Sequence, residues 1–156
     1  MAKEQTFEYA SHLASDANNV LKHAGTIKGV NYELMPFARM TAPPDWIRLP
    51  IQEWPVGKKL FTSCILLLGF VPADFHFFRM KSLLPNGFEE YSSTVINKFW
   101  HHTRTTTDLE DGGCVIIDRL SFKSRVPFID VISTPVYKLF FRHRHTRLKR
   151  KFGEVG

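Results

Sequence analysis

The sequence is poor in the features that mark several protein classes. It has two cysteines, Cys64 and Cys114, too few for a disulfide framework, so both are expected as reduced thiols in a cytoplasmic protein. Its longest apolar run, residues 64–71, is interrupted by Gly69 and stopped by Pro72, well short of the roughly 20 residues of a bilayer helix. The opening residues Met1-Ala2-Lys3-Glu4-Gln5-Thr6 lack the apolar core of a signal peptide. There is no Asn-x-Ser/Thr acceptor, no Gly-rich phosphate loop and no Gly-x-Ser-x-Gly nucleophile turn. Metal-ligand spacings of the Cys-x-x-Cys or His-x-x-x-His kind are also missing. His101 and His102 are neighbours on an extended segment and face opposite ways. His143 and His145 fall about 200° apart around a helix. No metal and no cofactor is therefore expected, and no hydrolase triad.

What is present suffices for one buried core. Of 156 residues, 44% are hydrophobic and 14 are Phe, which suits a single domain over residues 1–156. The net charge of +6 is unevenly placed. Residues 138–156 carry seven basic side chains and one acid, Glu154, while residues 1–137 are balanced. The cationic end, with Arg142, Arg144, Arg147, Lys149, Arg150 and Lys151, has two readings. It is either a solvated face whose charges suit a helix C-terminus, at about 0.3–1 kcal/mol each, or a weak contact for an anionic membrane surface. Nucleic acid is not expected, because the aromatics do not interleave with the basic residues as a stacking platform requires. The sequence leaves a homodimer open.

Alternation predicts a first strand over residues 7–13. Ser15 or Asp16 caps a helix over 17–23 that ends at Gly25, and a second short helix follows over 26–34. Residues 37–41 suit a short strand. Residues 42–57, with Pro43, Pro44, Pro50, Pro55, Trp46 and Trp54, are expected to be irregular. Strands are predicted over 60–68, 74–84 and 88–92, with an extended region over 94–107 and a returning strand over 114–123 after the Asp111-Gly112-Gly113 turn. The last element is an amphipathic helix, capped by Ser133 or Thr134 with Pro135 at its first position, running to Phe152 and ending at Gly153. Residues 128–132 are either an earlier helical turn or part of the connection. Its apolar stripe is read as Val136, Leu139, Phe140, His143 and Leu148.

Five segments then occur in a telling order: Asn86-Gly87-Phe88-Glu89-Glu90, Trp100-x-His102-x-Arg104, Asp111-Gly112-Gly113-Cys114, Asp118-Arg119-Leu120-Ser121-Phe122 and Leu139-Phe140-Phe141-Arg142-His143-Arg144-His145. The chain resembles the SRPBCC superfamily, the START-like and Bet v 1-like helix-grip proteins, in its bacterial ligand-binding type related to polyketide cyclases and dehydratases. The resemblance implies an α+β helix-grip fold, in which a curved antiparallel sheet wraps a long C-terminal helix. It also implies a cavity between sheet and helix for an apolar small molecule or lipid. The sequence departs from the pattern at Val95-Ile96, where many members have Gly-Pro, and in the Pro/Trp-rich stretch 42–55.

Pairing the two strands around Gly112 by hand, with Thr106 opposite Cys114, sets Arg104 opposite Ile116, His102 opposite Asp118 and Trp100 opposite Leu120. Period two places these on one face, as polar anchors of an apolar pocket, as a structural polar cluster, or as residues turned to solvent on the outer face. A carboxylate beside His102 would orient its imidazole, and Arg104 could hold a ligand carboxylate or carbonyl. Glu89 and Glu90 point to opposite faces, and Glu90 shares parity with His102. The cavity candidates are thus Trp100, His102, Arg104, Asp118, Glu90, Leu120 and Phe122 from the sheet, and Val136, Leu139, Phe140 and His143 from the helix. Three functions follow as expectations: a non-enzymatic carrier of an apolar molecule, a cyclase- or dehydratase-like enzyme using the same pocket, or a membrane-surface or partner-regulating protein using the basic helix. No catalytic residue is assigned.

Overall fold

The computed structural model describes residues 2–155. Seven strands make one antiparallel sheet: β1 (Gln5–Leu13), β2 (Ala38–Met40), β3 (Lys59–Leu67), β4 (Val71–Leu84), β5 (Gly87–Thr94), β6 (Asn97–Asp108) and β7 (Cys114–Ser124). Their spatial order is β1-β7-β6-β5-β4-β3-β2. The first strand therefore pairs with the last, and helices α1 (Ala17–Ala24) and α2 (Ile27–Leu34) carry the chain across to the far edge. A short helix α3 (Pro44–Ile47) and a 3₁₀ turn (Ile51–Glu53) precede β3, and α4 (Ile129–Phe152) closes the chain. α4 packs against β1, β7 and α2, so the sheet holds it as a helix grip.

Local chemistry explains most boundaries. Thr26 caps α2 by accepting from the Gly29 N–H at 2.9 Å. α1 is capped from afar, by Asp108 Oδ1 accepting from the Ala17 N–H at 2.7 Å. β7 alternates without a break, burying Cys114, Ile116, Asp118, Leu120, Phe122 and Ser124 on one face. Gly87 is required by close approach, because a Cβ there would collide with the Arg104 carbonyl.

Three expectations change. Asp108, not Thr106, pairs with Cys114, so Arg104 opposes Asp118, His102 opposes Leu120 and Trp100 opposes Phe122. The turn is tighter than expected, with Leu109 N–H bonded to the Gly113 carbonyl at 2.8 Å. The slip is two residues, so every side chain keeps its face. Second, the extended region splits at Val95-Ile96 into β5 and β6. That turn lacks glycine because Asp74 Oδ1 accepts from the N–H groups of Val95 (3.1 Å) and Ile96 (3.3 Å). Third, α4 begins at Ile129, which leaves Pro135 inside the helix rather than at its start. The missing Pro N–H frees only the carbonyl of Val131, an exposed residue whose carbonyl water can serve.

The helix also turns a different face inward. Its buried residues are Ser133, Phe141, Arg144, His145 and Leu148, while Leu139 is 61% exposed. Hydrophobic periodicity points elsewhere because two of the buried positions are ionisable. The Pro/Trp-rich segment, expected to be irregular, carries α3 and the 3₁₀ turn and is well packed. Trp54 is fully buried, donates to the Leu49 carbonyl at 3.2 Å, and meets Trp46, Phe61 and Phe78 with ring centres 5.5–5.6 Å away. The Ile51 N–H bonds to Gly25 O and Gln52 Nε2 to Gly87 O, tying this plug across one end of the hollow.

Candidate functional site

Between the sheet and α4 lies a cavity of about 340 Å³. Val30, Leu34, Phe78, Met80, Phe88 and Phe140 supply much of its apolar wall. Two regions bound it, and they differ in chemistry.

One is an ionised floor. Arg104 on β6, with no solvent exposure, grips two carboxylates at once. It donates from Nε and Nη2 to Asp118 Oδ1 and Oδ2, both at 2.7 Å. It donates from Nη1 and Nη2 to Glu33 Oε2 (2.9 Å) and Oε1 (2.8 Å). Arg144 on α4 adds an Nε–H bond to Glu33 Oε1 at 3.0 Å. Asp118 further accepts from His102 Nε2 at 2.7 Å and His145 Nε2 at 2.8 Å, and His145 Nδ1 lies 2.7 Å from Ser11 Oγ. Beside this knot, Glu90 accepts from His76 Nε2 and, at 2.6 Å, from Ser92 Oγ. His102 Nδ1 stands 3.8 Å from its other oxygen.

Electrostatics follow from that geometry. Burial opposes the charge of Asp118, yet Arg104 and the His102 and His145 hydrogen bonds hold its carboxyl well below the usual range. Glu33 is likewise buried and likewise lowered, by Arg104 and Arg144. Arg104 is desolvated, but the two carboxylates push its pKa above the ordinary arginine value. Burial would raise Glu90, and the neighbouring His76, which hydrogen-bonds it, together with nearby His102 brings it down to about 2. All three acids are therefore carboxylates at neutral pH. Higher in the cavity, burial pushes the Tyr137 phenol up to about 12, against the hydrogen bond it receives from Asn97.

The other region is an apolar mouth. The cavity wall reaches Leu67 at the end of β3, Ile96 in the β5–β6 turn and Ile132 and Val136 near the start of α4. These pieces are laced together. Leu68 N–H bonds to Phe37 O at 2.7 Å, His143 Nε2 donates to Met35 O at 2.6 Å, and the rings of Phe37 and His143 meet edge-on. Arg125 holds the Thr94 and Val95 carbonyls at 3.1 Å. Around this ring Phe37, Leu68, Phe70, Val95, Phe128 and Val131 stand exposed.

The structure sorts the sequence candidates. Trp100, His102, Glu90, Val136 and Phe140 line the cavity. Arg104, Asp118, Leu120 and Phe122 are buried behind its wall, outside the lining. Leu139 points to solvent, and His143 is a strut of the mouth. The cationic end is not a free patch. Arg144 is buried, Arg147 lies over the Tyr32 ring and donates to its carbonyl, and Lys149 pairs with Glu154. Lys151 also sits over Tyr32, leaving Arg142 and Arg150 outside these contacts. Four residues that sequence reasoning passed over complete the site: Glu33, His76, Arg144 and His145. His76 could have been found from its parity with Phe78 and Met80, and Glu33 as a lone acid between apolar helix positions. Arg144 and His145 were hidden in a basic run. No described helix is long and apolar enough to cross a membrane.

The architecture is that of a class: it is the α+β helix grip also seen in Bet v 1-like and START proteins. Within it, the chain belongs to the family described as Domain of unknown function DUF8410, whose signature matches residues 11–152. No curated protein matches the sequence. Solved structures share the architecture. A protein of Chromobacterium violaceum is 12% identical with a TM-score of 0.70, over 96% of this chain and 98% of its own. The ZhuI aromatase/cyclase of Streptomyces sp. R1128 is 9% identical with a TM-score of 0.63, over 96% and 93%. A START superfamily protein of Mycobacterium smegmatis is 7% identical with a TM-score of 0.61, over 93% and 97%. At these identities the likeness is one of fold.

Proposed function

We propose that residues 1–156 act as a single domain that binds an apolar small molecule or lipid between the sheet and α4. The observation that carries this reading is the cavity of about 340 Å³ walled mostly by aliphatic and aromatic side chains, with His76, Glu90, His102 and Arg144 at the floor and Asp74 at the mouth as its few acidic and basic groups. That is the composition of a small-molecule site. Burying apolar ligand surface there contributes roughly 25 cal/mol per Å² before ordering costs. The two cysteines are free, in keeping with a reducing cytoplasm. Native mass spectrometry followed by organic extraction tests the proposal. The expected result is a near-stoichiometric apolar adduct, or saturable binding of an apolar fluorophore by the stripped protein. Absence of both removes it.

A second reading is a cyclase- or dehydratase-like enzyme. What favours it is that His76 and Glu90 stand on the cavity wall as a hydrogen-bonded acid–base pair, with His102 Nδ1 3.8 Å from the other Glu90 oxygen. Under this reading His76→Gln abolishes turnover of a polyketone while the variant still binds it. Joint loss of binding and turnover makes His76 structural instead.

A further inference from the structure

We infer that the ligand carries a carboxylate at the end of its apolar body and that Arg144 receives it. This rests on the cavity reading above and specifies its chemistry.

The argument is one of hydrogen-bond supply. Each buried carboxylate is already engaged: Glu33 accepts three bonds from the two arginines, Asp118 accepts four from Arg104, His102 and His145, and Glu90 accepts from His76 and Ser92. Glu33 and Asp118 have both oxygens bonded and lie outside the cavity lining, and Glu90 Oε1, the carboxylate oxygen without a hydrogen bond, has His102 Nδ1 3.8 Å away. Two spare donors stand on the same wall. Arg144 is 6% exposed and forms part of the cavity wall, yet only its Nε is used, on Glu33. Its terminal Nη1 and Nη2 make no hydrogen bond among the described residues. Nor is the side chain loose: Glu33 fixes one edge, and the guanidinium lies 4.9 Å from the centre of the Phe141 ring.

A guanidinium with Nε taken presents the end-on Nη1/Nη2 fork, which matches the two oxygens of a carboxylate. A hydroxyl or ketone offers a single oxygen, and an alkane leaves both nitrogens desolvated without a partner. The new anion joins three carboxylates and two arginines, and His76, His102 and His145 each hydrogen-bond one of those carboxylates. Ser133 is buried on the same helix and its hydroxyl has no partner. It lies eleven residues before Arg144, about 16 Å along the axis. The apolar body would therefore run from Arg144 past Ser133 toward the mouth.

The test is titration of stripped, full-chain protein with dodecanoate, dodecanol and dodecylamine by calorimetry. Dodecanoate is expected to bind about tenfold or more tighter than dodecanol, and dodecylamine weakest of the three. Arg144→Gln narrows the acid-to-alcohol ratio to within about threefold. Arg144→Lys keeps the Glu33 ion pair if the Gln variant fails to fold, and as a point charge without the fork it retains only part of the preference. Equal binding of acid and alcohol by the unaltered protein overturns the inference and leaves the cavity reading standing. Binding of none of the three overturns both.

Discussion

The floor and the mouth of the cavity are built on opposite principles. The floor gathers Glu33, Glu90, Asp118, Arg104, Arg144 and three histidines out of water and connects them by hydrogen bonds. The mouth leaves Phe70, Phe128 and Val131 in water, fastened underneath by a few backbone bonds. Buried ions are expensive to desolvate and are tolerated only when fully paired. Exposed apolar groups are inexpensive to alter and free to meet a ligand. The floor should therefore control whether the protein folds, and the mouth how fast the cavity fills.

Breaking the floor gives the largest effect. Arg104→Met strips Asp118 and Glu33 of four of their bonds. A loss of about 3–5 kcal/mol is expected, read from urea unfolding. A loss within about 0.5 kcal/mol of zero would show the floor to be incidental. Acid should do the same more gradually. Glu33, Glu90 and Asp118 all have folded pKa values below their ordinary ones, Glu90 at about 2. Their contribution is complete above the unfolded carboxylate values, roughly 3.9 to 4.3. It is lost as pH falls through the folded values, because the unfolded chain then binds more protons. The melting temperature should drop steeply below about pH 4, and Asp118→Asn should flatten that slope while lowering stability at neutral pH.

Much of the frame was legible in the sequence, and the reason is local. Alternation in β7 and the glycine at the β6–β7 turn act within a few residues, so strand faces survived even a two-residue error in register. The site was less legible because its determinants are distant in the chain. The β5–β6 turn depends on Asp74, and α1 on Asp108. The buried face of α4 depends on Glu33, 111 residues before Arg144, and on Asp118, 27 before His145. A helix that buries an arginine and a histidine against remote carboxylates looks, by hydrophobicity alone, as though Leu139 should face inward. His102 and Asp118 stood out as a pair, with Arg104 beside them, but the burial of Arg104 and Asp118 behind the wall could not be separated from direct ligand contact without the register and α2 in place.

Smaller perturbations at the mouth sharpen the contrast. His143 is its strut, bonded to Met35 O and packed on Phe37. His143→Ala should lower stability by about 1 kcal/mol, a single hydrogen bond's worth. Exchange of a bound fluorophore, followed by stopped flow, should quicken by more than that stability loss would suggest, because the 35–37 segment loses its tie to α4.

The rim itself should matter least to stability. Phe70→Ser and Val131→Ser remove side chains that are 72% and 77% exposed, so each should change unfolding free energy by less than about 0.5 kcal/mol. On the proposed binding function, their effect belongs to the rate of uptake. An apolar molecule arriving from water, a micelle or a lipid surface meets these residues before it meets the cavity. The association rate of an apolar probe should fall in the double variant, with its dissociation rate nearly constant. A fall in stability comparable to that of Arg104→Met would show the rim to be part of the core, and the division between floor and mouth would then be lost.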